Sequence, residues 1–181
     1  MSHLTIKIHW LGPYTPEDVA ELEDGNGLYL FTGKRKGQKA ESHIQYFGIT
    51  EQAFRVRFRQ HHKLRDINRE LGIWLGKVDY PEQHTRTHLE TAESILVYFW
   101  QPQLNDRKKA NPPGPTTIIS HWFRPDGQAR INQKSIYRDL PDVISWDGSH
   151  WRTGNLTVWA AGERPDRPAT RSILNSKQFN T

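Results

Sequence analysis

The sequence predicts an α/β (α+β) protein: a core of strand, strand, helix, strand and helix, preceded by a short strand–helix segment and followed by a β-rich C-terminal extension. Three observations predict it. Short runs alternate apolar and polar residues, as half-buried strands do. Helix-start signals stand between those runs. The stretch Asn111-Pro112-Pro113-Gly114-Pro115 places three prolines in five residues, which neither a helix nor a central strand accepts. These signals divide the 181 residues into an N-terminal strand and helix (1–24), a core (25–108) and an extension with a tail (109–181).

The elements follow in order. Leu4, Ile6, Ile8 and Trp10 alternate with Thr5, Lys7 and His9, a strand that Gly12-Pro13 is expected to break. Thr15-Pro16-Glu17-Asp18 starts a short helix, with a capping hydroxyl, proline at the first position and acids in the first turn. Leu28–Thr32 and Ile44–Ile49 read as two strands of a hairpin around a basic loop, Gly33–Ser42. Thr50 is expected to cap a helix to about His62, with a second helical stretch to Gly72. Ile73–Val78 is the third strand, closed by Pro81. Thr87 and Glu90 have capping-box spacing and open a helix to about Trp100, whose apolar face carries Leu89, Ala92 and Leu96. Beyond the prolines, Thr116–Phe123 and Ala129–Ile131 flank the turn Pro125-Asp126-Gly127. Val143–Trp146 and Trp151 flank Asp147-Gly148. Asn155–Ala160 is a candidate final strand, and the polar stretch from Gly162 reads as a tail.

Composition narrows the function. Apolar residues are only 35% of the chain, but seven Trp, six Tyr and seven Phe supply rings large enough to build a core. No run approaches the roughly 18–20 apolar residues of a membrane span, and the N-terminus has no secretory pattern. There is no cysteine, which excludes disulfides, zinc thiolates, iron–sulfur clusters and a thiol nucleophile, and suits a cytoplasmic protein. The net charge of +5, with many aromatics, suits an anionic partner.

On a helical wheel of about 100° per residue, Phe54, Phe58, His61 and Leu64 share one side with Arg57 at its edge, while Arg55, Arg59, His62 and Lys63 point away. A guanidinium turned toward a core needs an anion, and Glu93 lies on the inward side of the later helix. A plain Arg57–Glu93 salt bridge would satisfy both. Taken singly, Tyr29 and Tyr46 read as strand aromatics, His61 as a core histidine and Asn105 as a helix-end residue.

Taken together they form an ordered set. Gly27-Leu28-Tyr29 followed by Tyr46-Phe47-Gly48 resembles the signature of the GIY-YIG endonuclease family. Arg57 and His61 are similar to its Arg-x-x-x-His. Glu93, followed twelve positions on by Asn105 after Pro102-Gln103-Leu104, resembles its last element. The resemblance covers about residues 25–108. It implies a three-stranded antiparallel sheet with flanking helices and a metal-dependent endonuclease that hydrolyses phosphodiester bonds in DNA. Glu93 would hold one Mg²⁺ (or Mn²⁺), Arg57 would clamp the phosphate, Tyr29 would act as general base, Tyr46 and His61 would position water or phosphate, and Asn105 would hold the loop after the helix or contact the backbone. Leu28 and Phe47 replace the family's isoleucines. The interval from Gly48 to Arg57 is one residue longer than usual, which leaves Arg55 as a rival; the wheel and the step to His61 favour Arg57.

Seven further cations are candidates to track phosphates: Lys34, Lys36 and Lys39 in the hairpin loop, Arg55, Arg59 and Lys63 near the helix, and Lys108 after Asn105. Each could equally belong to a solvated surface. A homodimer would suit double-strand cleavage, since one centre serves one strand. The alternatives are a non-catalytic nucleic-acid-binding module and an RNA-cleaving enzyme. The C-terminal tryptophans read either as a recognition appendage or, slightly favoured, as a β layer completing the core.

Overall fold

The computed structural model describes residues 3–22, 25–111, 113–130 and 140–158. The chain runs β1 (Leu4–Tyr14), α1 (Pro16–Ala20), β2 (Gly27–Arg35), β3 (His43–Thr50), α2 (Phe54–Arg59), a 3-10 turn (His62–Asp66), β4 (Ile67–Tyr80), α3 (Arg86–Trp100), β5 (Thr116–Phe123), β6 (Val143–Trp146) and β7 (Trp151–Gly154).

The expected three-stranded sheet with flanking helices is corrected by this topology. All seven strands belong to one mixed, curled sheet in the order β3-β2-β4-β1-β5-β6-β7. An antiparallel trio β3-β2-β4 is present, but β4 has a second free edge, and β1 occupies it antiparallel. β5 then adds parallel to β1, in register from Leu4 opposite Thr116 to Leu11 opposite Phe123. The boundaries expected after residues 24 and 108 therefore fall within a sheet that runs through all three segments.

Local differences have local causes. β1 continues past Gly12-Pro13 to Tyr14, with a register shift between Leu11 and Tyr14. Thr50 does not cap a helix: it ends β3, and its hydroxyl accepts from the Gln52 amide at 3.1 Å. α2 is consequently only Phe54–Arg59, and the second helical stretch is a 3-10 turn ending at Asp66. The polar residues 68–70 belong to β4, because the far end of β2 pairs with them, Lys34 opposite Arg69. α3 opens one residue before Thr87, capped by Thr85 with His88 as its reciprocal partner; Glu90 instead pairs with Arg86 at 2.8 Å. Residues 155–158 are not a strand. Ile131, residues 159 and 160 and the tail from Gly162 lie outside the described residues.

Two apolar clusters cover the sheet. Alternation on β1 turns Ile6, Ile8 and Trp10 toward α3, where they meet Leu30, Phe47, Trp74, Ile95, Ile118 and Trp146. The opposite face carries Tyr29, Phe31, Ile73 and Leu75 against Val19, Phe54 and Leu104. No helix among the described residues is long and apolar enough to cross a membrane.

Candidate active site

β2 places Tyr29 at the middle of the sheet, opposite Gly48 on β3 and Leu75 on β4. Gly48 is needed there because of the ring: a Cβ at that position would lie 2.5 Å from the Tyr29 hydroxyl. Gly27 has a different reason, a φ of 132° and a close approach in which a Cβ would stand 2.5 Å from the Gly76 carbonyl oxygen. The glycines at the ends of both signature triplets thus answer to packing of this sheet.

Tyr46, on β3 opposite Phe31, shares the Tyr29 face, and the two phenol rings stack with centroids 5.9 Å apart. Phe58 from α2 sets its ring edge against Tyr29 at 5.0 Å. α2 ends at Arg59, so His61 arrives through a turn, its amide bonded to the Phe58 carbonyl at 3.2 Å. The imidazole still packs edge-on against Tyr29, Phe31 and Tyr46.

The Tyr29 hydroxyl is the hub. Arg57 Nε donates to it at 3.2 Å, and His61 Nε2 lies 3.0 Å away. Arginine only donates, so the phenol oxygen accepts from Arg57 and its own proton is available to His61 Nε2. The His61 Nδ1 atom is buried and without a hydrogen-bond partner among the described residues.

Burial governs the titration here. Tyr29 is fully buried, and burial, with the Tyr46 phenol beside it, pushes its pKa far above the ordinary tyrosine value against the opposing contact of Arg57. Burial also raises Tyr46, helped by the Glu93 charge. Burial and then the Arg57 charge press His61 down to about 4. At neutral pH the centre is therefore two neutral phenols and a neutral imidazole around one guanidinium. The Arg57 contact lowers the Tyr29 phenol, but by itself it does not offset burial.

Glu93 sits on α3 with its side chain 13% exposed, ion-paired to Lys108 rather than to Arg57. Its charge acts on Tyr46. Asn105 is buried, and its amide spans the Phe47 backbone: Oδ1 accepts from the Phe47 amide at 2.9 Å and Nδ2 donates to the Phe47 carbonyl at 2.8 Å. With the Leu104 amide bonded to the Gln45 carbonyl at 3.0 Å, this seals the outer edge of β3, the first strand of the sheet.

The candidate phosphate-tracking cations divide. Lys34 holds Glu70 at 2.8 Å, Lys63 holds Asp106 at 2.9 Å and Lys108 holds Glu93. Lys36, Lys39, Arg55 and Arg59 are exposed. Beside Arg57 opens a cleft of about 220 Å³, lined also by Thr50, Gln52, Arg86 and Leu89. The sequence reading missed Arg86, which bridges Glu51 and Glu90, and missed Lys108 as the partner of Glu93; a separation of fifteen positions with a fold-back at Pro102 leaves no periodic signal for that pair.

Among the described residues no cluster of three or more His, Asp or Glu side chains could hold a metal ion. The Glu93 carboxylate is a hard oxygen donor of the kind Mg²⁺ takes, and in this structure it is paired to Lys108. No protein-family model matches the chain, and no curated protein or solved structure matches it.

Proposed function

We propose that the chain is a metal-dependent endonuclease of GIY-YIG type in its site chemistry, hydrolysing phosphodiester bonds in DNA. The observation that supports it is the meeting of Tyr29, Tyr46, Arg57 and His61, drawn from β2, β3, α2 and the turn after it, on one face of the sheet with the Glu93 charge reaching Tyr46. A core without a chemical task has little use for so dense a set of polar groups, since each must be satisfied by another.

In this reading the roles follow burial. Arg57 is anchored through Nε and presents its remaining N–H donors to the non-bridging oxygens of the scissile phosphate, where charge develops. Tyr29 is a positioning residue: its hydroxyl fixes the guanidinium on one side and the His61 ring on the other. Tyr46, the half-buried phenol, is the one that reaches the attacking water and orients it. Asn105 holds the β3 backbone from which Tyr46 projects. A Mg²⁺ (or Mn²⁺) ion held by Glu93 would supply Lewis-acid stabilisation of the leaving 3′ oxygen.

The test is nicking of supercoiled plasmid with Mg²⁺. Wild type is expected to nick. Glu93→Ala should bind DNA without nicking, and Arg57→Ala should lose on the order of 10²–10³ in rate. Wild type that binds DNA and never cuts it defeats the enzyme reading. One observation favours that second reading, a non-catalytic nucleic-acid-binding module: the Lys108 ammonium sits on the carboxylate that a metal would need. Cleavage of RNA in preference to DNA in the same assay would redirect the substrate.

A further inference from the structure

We propose that the sheet face that carries Tyr29 continues across β4, β1 and β5 as a binding surface for single-stranded nucleic acid, on which the His9–Phe123 ring pair stacks a base and Lys7 and Lys77 meet the phosphates beside it. The proposal deepens the nuclease reading and rests on it for the identity of the polyanion.

The register places these groups. Directly opposed residues share a face, and side chains two apart along a strand return to it. Tyr29 on β2 opposes Leu75 on β4, and Leu75 opposes Leu11 on β1. Two residues along, Lys77 opposes His9, and His9 opposes His121 on β5. Lys77, His9 and His121 thus form a row across three adjacent strands on the Tyr29 face, with β1 two strand spacings, roughly 10 Å, from β2. Phe123, opposite Leu11, lays its ring on His9 with centroids 4.0 Å apart and planes 6° from parallel. Lys7 Nζ lies 3.5 Å from the Asp79 carboxylate, which is also 4.0 Å from His9 Nδ1.

Solvent reaches this set. The Lys7 side chain is 37% and the His9 side chain 32% exposed, and Lys77 is exposed. The other face of the same strands is closed, with Ile6, Ile8, Trp10 and Ile118 fully buried. Burial presses His9 below the ordinary histidine value, and the Lys7 and Lys77 ammonium groups and the His121 imidazole add to this against the opposing charge of Asp79. At neutral pH the His9 ring is therefore an uncharged aromatic plate, and the two lysines carry the positive charge.

The chemistry selects the occupant. Two ammonium groups against one carboxylate leave an excess that suits a polyanion. A histidine and a phenylalanine on a sheet face are rings on which unpaired bases stack, flanked here by cations for the backbone. A duplex keeps its bases paired and out of reach of such rings. An acidic peptide would engage the lysines and leave the ring pair unused.

The experiment is fluorescence anisotropy of the full chain with a labelled oligodeoxythymidylate of about twelve nucleotides, without divalent ion and over a range of salt. Wild type is expected to bind. Phe123→Leu keeps an apolar side chain and removes the stacking plane, so it should weaken binding at least about fivefold with the salt dependence unchanged. Lys77→Gln alters an exposed position and so serves if the first variant fails to fold; it should reduce the slope of log affinity against log salt by about 0.7. Absence of binding by wild type overturns the proposal, as do variants that bind as wild type does. It also falls if a duplex of the same length loses as much in Phe123→Leu, or if polyglutamate displaces the probe as well as unlabelled oligonucleotide does. Cleavage is not part of the readout. A chain that binds in this way and never nicks loses the endonuclease reading and keeps the surface, and one that nicks while both variants bind normally loses the surface alone.

Discussion

The two halves of the sheet are held together by different physics. In the β3-β2-β4 half, the interior is built from groups that need one another: the Tyr29 hydroxyl serves Arg57 and His61, and Asn105 serves both polar groups of Phe47. In the β1-β5-β6-β7 half, the interior is large rings with one polar handle each. Trp10 stacks on Trp122 at 5.3 Å and donates to the Ser120 hydroxyl at 3.1 Å; Trp146 packs on Trp151 at 4.7 Å and donates to the Pro113 carbonyl at 2.9 Å. The first half uses burial to set protonation and position. The second uses it for stability and completes the sheet edge that β4 would otherwise expose. The phenol–guanidinium–imidazole cluster lies in the first half, whereas the second half buries a single carboxylate, Asp142, against the Leu156 amide.

That contrast can be broken in three ways, beginning with the largest effect. Ile118→Ala removes a fully buried side chain of β5 and should cost about 2–5 kcal/mol in chemical denaturation, while the nicking rate per folded molecule stays at the wild-type value. A rate that falls beyond the folded fraction would mean that the halves are not separable.

The second concerns acid. His61 is held near 4 in the folded chain against an ordinary value of 6.5. The unfolded chain therefore binds the extra proton first as pH falls, so this stabilisation is complete above about pH 6.5 and is lost between there and pH 4. The linkage amounts to about 3 kcal/mol. Urea midpoints at pH 7 and pH 4.5 should separate more for wild type than for His61→Gln. Equal separations would show that the imidazole is not neutral by burial.

The smallest effect sharpens the packing account. Gly48→Ala pushes a methyl group into the Tyr29 ring and should cost about 1–3 kcal/mol. The same change made on Tyr29→Ala should cost much less, because the ring that it strikes is gone. Additive losses in denaturation would show that Gly48 is there for another reason.

The comparison also explains what could be read early. Alternation on Leu4–Trp10 located β1 because one face of it is buried, and burial imposes a period of two; Thr116–Phe123 was placed instead by the turn Pro125-Asp126-Gly127 that follows it. Asp147-Gly148 placed the β6–β7 turn for an equally local reason, φ 101° at Gly148. Of the ordered set visible in the sequence, the fold gathers Tyr29, Tyr46, Arg57 and His61, while Glu93 meets Lys108 and Asn105 meets the Phe47 backbone. Polar stretches misled: residues 50–53 and 68–70 look helical or loop-like, but pairing with β2 drew 68–70 into β4 and kept α2 to six residues.

By itself, the sequence determined where apolar faces repeat and where turns must fall, because these depend on spacing along the chain. Tertiary structure alone decided that the strands join in one seven-stranded sheet, that Tyr29 is sealed beneath Arg57 and His61, and that Lys108 rather than Arg57 meets Glu93. Those outcomes depend on which distant segments share an edge or a cavity, and the free energy of burying a charge or a phenol is set by neighbours that no local pattern records.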